Sequence, residues 1–209
     1  MIETSSPSLA AAVWRRWPQA LVPLAALLFM AVCLELYQPL WERAFRSDNS
    51  PVSWLSSALL FANAVVALTL SLTTALPPRL ARLMAGGLLW CALDEQFMFH
   101  ERFKYDYAPS WFADDAVLPS WLLNLPMIAV GLGGAVCVAW FLHRMGRGKI
   151  VACALMLTAL AVGFLALAVD LWGDGWAIAP FEEGLEVLAE SFFLSALLET
   201  AQVQSASCS

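Results

Sequence analysis

Charge is what this sequence has least of. Only 13% of its 209 residues are Asp, Glu, Lys or Arg, roughly half the share in soluble domains, while 61% are hydrophobic and the mean hydropathy is +0.71. That excludes an ordinary soluble domain and makes a polytopic membrane protein the expectation. No lysine falls inside a long apolar run, which removes a retinal Schiff base. The two histidines, His100 and His143, fall on opposite sides of the expected membrane, so they cannot hold a haem between them as a bis-histidine pair. Five cysteines, at 33, 91, 137, 153 and 208, show neither CxxC nor CxxH spacing, so neither a disulfide framework nor a zinc finger is encoded. The net charge is −6 and no basic stripe offsets it, which excludes nucleic acid as a partner.

What is present is apolar length. Stretches of roughly twenty residues, enough to span a hydrocarbon core, occur near 19–38, 54–75, 83–101, 120–142, 150–171 and 181–199. The expected fold is all-α, an integral membrane bundle of six transmembrane helices. It forms a single domain over 1–201 with a disordered polar tail over 202–209. Pro77-Pro78 separates the second span from the third, and the basic run His143 to Lys149 separates the fourth from the fifth. Arg15, Arg16, Arg79, Arg82, Arg144, Arg147 and Lys149 fall at ends that must lie together. The positive-inside rule then puts both termini in the cytoplasm, in a bacterial inner (plasma) membrane.

The first span follows a basic segment, as a signal peptide would. Tyr37-Gln38-Pro39-Leu40-Trp41 offers no small-x-small cleavage site, so the span is expected to be retained. Tryptophans near helix ends, among them Trp14, Trp41, Trp54, Trp121 and Trp172, form the interfacial belt of a protein whose first partner is the lipid bilayer. The segment 102–119, with Tyr105, Tyr107, Trp111 and Asp114-Asp115, suits a short interfacial helix or lid. Gly131-x-Gly133-Gly134 on the fourth helix is expected to be a packing motif, because it falls in mid-membrane with no strand before it.

Against this apolar background the acids stand out, since an ionisable group at membrane depth costs several kcal/mol unless it meets a partner, a cation or water. At 100° per residue Asp94, Met98 and Glu101 share one face of the third helix, with Glu95 beside them and Cys91 and Gly87 below. His100 turns inward only if the helix ends before it. On the sixth helix Glu183, Glu186 and Glu190 form one line, with Glu182 a turn from Glu186, and Leu185, Leu188, Phe192 and Ser195 lie opposite. Glu35 and Asp170 point to the same leaflet and are expected to support these acids from behind. Asp174, Glu182 and Glu183 also have a simpler reading, as acids that complement the dipole of a helix begun by Pro180. Glu42 and Glu199 read as solvated ends. The second and fourth helices, offering Asn63 and Asn124, read as peripheral.

So many carboxylates, with no Lys or Arg inside the spans, require that several hold protons or that a cation sits among them. Carboxylates with one imidazole suit Fe, Mn, Zn or Ca. The expected metal ligands are Asp94, Glu95, His100, Glu101, Glu183, Glu186 and Glu190. Helical bundles that bind two metals through carboxylates use Glu-x-x-His on two helices, and that motif is absent here. Leu93-Asp94-Glu95-x4-His100-Glu101, followed by Glu182-Glu183-x2-Glu186, resembles a pattern in uncharacterised bacterial multi-pass membrane proteins. That resemblance implies only that these acids belong together.

Three functions fit. The first is a metal-dependent oxidase or hydrolase acting on a lipid-like substrate, with a divalent metal ion activating dioxygen or water. The second is a proton or cation pathway, which the apolar inner halves of the helices disfavour. The third is an accessory subunit of a larger membrane complex.

Overall fold

Ser50-Pro51 opens the second long helix with two residues suited to the task. The Ser50 hydroxyl accepts from the Ser53 backbone N–H at 3.0 Å, and Pro51 stands where a missing N–H costs nothing. Thr73 closes the same helix, its N–H donating to the Thr69 carbonyl at 3.1 Å, and Pro77-Pro78 starts the next. The computed structural model describes residues 9–46, 50–73, 76–103, 125–145, 149–172 and 179–205. Among these the chain is all-α: α1 Leu9–Leu36, α2 Arg43–Arg46, α3 Pro51–Leu72, α4 Pro78–Phe97, α5 Phe99–Arg102, α6 Leu125–Met145, α7 Ile150–Trp172 and α8 Ala179–Ser205.

Among the described residues four helices are long and apolar enough to cross a membrane, through Gln19–Leu36 of α1, Pro51–Leu72 of α3, Ile128–Met145 of α6 and Ile150–Val169 of α7. The other two long helices, α4 with 20 residues and α8 with 27, match them in length but hold the acids. Outward-facing Leu28, Phe61, Val136 and Phe164 leave more than half of their surface uncovered. Apolar exposure on that scale is what a surface in contact with lipid requires.

α8 is the axis of the bundle, packing along α7, α3 and α1, while α3 also pairs with α4, and α6 lies against α4 and α7. Two apolar cores result. One gathers Leu70, Leu80, Met84, Phe141, Met156 and Leu197, and the other gathers Met30, Cys33, Phe45, Val52, Val187 and Leu194. The second exists because α2 folds back beneath α8. Phe45 is 5% exposed and approaches Gly184, where an added Cβ would lie 4.0 Å from its ring and 3.8 Å from the Met30 sulfur. Nothing in the local pattern of 39–50 announces that short helix, because its two buried residues, Ala44 and Phe45, are too few to show a period.

Several boundaries differ from the sequence reading: α1 begins at Leu9 where its span was expected from 19, and α4 begins at Pro78 where its span was expected from 83. α4 stops at Phe97, where the span was expected to reach 101, because Met98 adopts a left-handed conformation, φ 53° and ψ 43°. At its other end α8 carries its helix past 201 to Ser205. The expected lid over 102–119 lies outside the described residues beyond 103, as do Asn124, Asp174 and the last four residues.

Candidate carboxylate site

The site forms where the end of α4, the start of α3 and the first half of α8 meet. On α4, Asp94 is 4% exposed, and Glu95 accepts a hydrogen bond from the Ser53 hydroxyl of α3 at 3.1 Å. The Met98 N–H donates to the Asp94 carbonyl and closes the helix. A positive φ is rare for a residue with a side chain, and here it redirects the chain into α5 just before His100. This is the second of the two geometries open to His100 from sequence, although the side chains of His100 and Glu101 lie outside the described residues.

On α8, Pro180 is buried and Glu182 stands in the first turn, where a negative charge complements the helix dipole. Glu183, Glu186 and Glu190 are each partly buried. Glu190 is the most tightly held: its Oε1 accepts from the Ser56 hydroxyl at 2.7 Å, while its Oε2 is buried with no donor among the described residues. Two turns further along α3, Asn63 is fully buried, and its amide donates to the Leu59 carbonyl at 2.9 Å and to the Glu190 backbone carbonyl at 3.0 Å. The carboxylates of Glu186, Glu95 and Glu183 all act electrostatically on Glu190. Cys91 feels Asp94, Glu190 and Glu95. Three of the seven expected ligands, Glu95, Glu183 and Glu186, thus lie within electrostatic reach of a fourth, Glu190, while Asp94 is tied to them through Cys91.

Some expectations fare differently. Glu35 is exposed on α1, and the side chain of Asp170 lies outside the described residues. Among the described residues no group of three or more His, Cys, Asp or Glu has a geometry that could hold a metal ion. The second span, read as peripheral, is central: α3 supplies Ser53, Ser56 and Asn63 to the acids. The signal was available, since Ser53, Ser56 and Asn63 recur at i, i+3 and i+10 on one helical face of an otherwise apolar run.

A second polar junction, unforeseen from sequence, ties α1 to the far half of α8. Glu199, read as a solvated end, is 4% exposed and accepts from the Gln19 amide at 2.9 Å. The same amide donates to Gln202 at 2.7 Å. Ser195, expected on the face away from the acids, is fully buried and donates to the Gln19 carbonyl at 2.7 Å and to the Ser191 carbonyl at 2.8 Å. The C-terminal half of α8 is thus not apolar. Buried Ser191, Ser195, Glu199 and Thr200 carry polarity along it.

The glycines of α6 also depart from expectation. A Cβ built at Gly131, Gly133 or Gly134 would meet nothing within 4 Å, so these residues do not mediate close packing. Gly163 of α7, like Gly184 of α8, does face a neighbour: an added Cβ there would lie 3.7 Å from the Ala189 Cβ of α8. Gly131 and Gly134 instead face a partly open cavity of about 300 Å³.

A family model for a domain of unknown function, DUF8692, matches residues 8–200. The chain belongs to the DUF8692 family. No curated protein and no solved structure matches it. The DUF8692 match takes in both acid-bearing helices and the Gln19–Glu199 junction. As the family description carries no activity, the chemistry rests on the residues. Buried carboxylates held by serine hydroxyls can bind and release protons, or gather a cation.

Proposed function

We propose that this DUF8692 chain is a membrane protein in which all six long helices cross the bilayer with both termini cytoplasmic, and that Glu190 is the centre of a proton-carrying site. The observation behind this reading is the Glu190 carboxylate itself. One oxygen is fixed by Ser56, the other is buried with no donor among the described residues, and three further carboxylates lie within electrostatic reach. A carboxyl group in that setting is stabilised by taking up a proton shared with its neighbours. The buried polar line of α8 supplies a direction for it. Glu190 and Glu199 are nine residues apart, about 13.5 Å of helical rise, with Ser191, Ser195 and Gln19 between them. Proteoliposomes carrying an internal pH dye test this. An imposed potential should drive proton uptake with the wild type, and Glu190→Gln should abolish it. Equal uptake by wild type, variant and empty vesicles sinks the reading.

A second reading is favoured by the turn at Met98. With the chain redirected there, His100 and Glu101 would join Asp94, Glu95, Glu183, Glu186 and Glu190 around a divalent metal such as Fe, Mn, Zn or Ca. The metal would then activate water or dioxygen toward a lipid-like substrate. Elemental analysis of detergent-purified protein tests it. One or two equivalents of metal, lost in Asp94→Ala and Glu186→Ala, support it, and a melting temperature unmoved by any of the four metals counts against it. Absence of both flux and metal would favour an accessory subunit of a membrane complex.

A further inference from the structure

The cavity of about 300 Å³ beside α6 is lined almost wholly by apolar groups, among them Val138, Met156 and Leu160, with Gly131 and Gly134 forming one wall. Its size falls at the lower end of ligand sites. Two of its lining residues are polar, Asn63 and Glu190. Their chemistry is one-sided. The Asn63 amide group is spent on the Leu59 and Glu190 carbonyls, and among the described residues no donor reaches Asn63 Oδ1 or Glu190 Oε2, both of which are buried. Two buried acceptors without donors cost about 1–3 kcal/mol each. A group that offers hydrogens to both would recover that cost. A carboxylate with three others in reach also favours a cationic donor over a neutral one.

We propose that this cavity binds an amphiphilic primary amine, its apolar chain against the α6 glycine wall and α7, and its ammonium drawing the Asn63 and Glu190 side chains, whose Oδ1 and Oε2 are covered in this structure, to turn and accept from it. An ammonium brings three donors and one positive charge to two acceptors and a cluster of acids. The apolar chain fills space that the bundle leaves unpacked, and α6 keeps it open because its glycines present no side chain there. The inference shares Glu190 with the proton-carrying reading but does not rest on it, since occupancy requires neither proton transfer nor metal.

The test uses the full chain in phosphatidylcholine nanodiscs and measures retention of radiolabelled decylamine, with decanol and decanoate as competitors. Wild type should retain decylamine saturably above empty discs, with decylamine displacing the label at least tenfold better than decanol and decanoate displacing none. Gly134→Leu and Gly131→Leu project side chains into the cavity, where a Cβ meets nothing within 4 Å, so these variants should fold and lose retention at least tenfold. Gly133→Leu is the control: it has the same open surroundings but does not line the cavity, and it should bind as wild type does. Asn63→Leu should also lose retention. Replacing part of the phosphatidylcholine by phosphatidylethanolamine separates two sources of the amine: weakened decylamine retention points to a lipid headgroup, unchanged retention to a free amphiphile. Equal retention by wild type and Gly134→Leu, or equal competition by all three compounds, would overturn the proposal.

Discussion

The Ser56 hydroxyl donates to Glu190 Oε1 at 2.7 Å across the contact between α3 and α8, joining residues 134 positions apart. Neither residue explains the other locally. A serine in an apolar span satisfies itself by bonding back to its own helix, as Ser71 and Ser191 do here with carbonyls three residues earlier. Ser56 reaches across instead, because the carboxylate is within range and is the stronger acceptor.

Ser56→Ala should therefore lower stability by about 1 kcal/mol, since hydrogen bonds between membrane helices average about 0.6 and reach about 1.7 kcal/mol. The decisive measurement is a double-mutant cycle with Glu190→Gln, read by unfolding in detergent. Additivity within about 0.3 kcal/mol would mean that the contact carries no energy.

At the other end of α8, Gln19→Ala removes side-chain bonds to both Glu199 and Gln202. A loss of about 1–3 kcal/mol is expected for a buried group so treated. Gln19→Glu, which sets a second carboxylate beside Glu199, should cost more. If Gln19→Glu were as stable as wild type, the junction would be a surface feature.

Met98 gives a prediction of sign. Inside a helix, glycine is less stable than alanine by about 1 kcal/mol. At Met98 the order should reverse, with Met98→Gly more stable than Met98→Ala by about 1 kcal/mol, since a left-handed residue with a Cβ carries that penalty. Comparing only these two variants removes the lost methionine packing from the result.

Topology is open to reporter fusions after Ser50, after Arg82 and at the C-terminus. Six crossings with cytoplasmic termini predict an extracytoplasmic signal at the first and cytoplasmic signals at the other two. An extracytoplasmic C-terminus would remove the arrangement that sets Glu190 and Glu199 toward opposite faces.

The sequence alone determined the all-α architecture and the approximate limits of six long helices, because twenty-residue apolar runs and Pro-Pro and Gly-basic breaks are local signals that need no knowledge of neighbours. It also marked Asp94, Glu95, Glu183, Glu186 and Glu190 as one group, since acids at helical spacing in an apolar run stand out against their background. What the tertiary structure decided was everything that depends on which helices touch. Glu199 lies near a helix end and reads as solvated until α1 brings Gln19 against it. The Gly131 to Gly134 segment reads as a close contact until the bundle leaves α6 standing off and makes it a cavity wall. Helical periodicity fixes which residues share a face, but burial is a property of two surfaces, and the second surface lies far away in the chain.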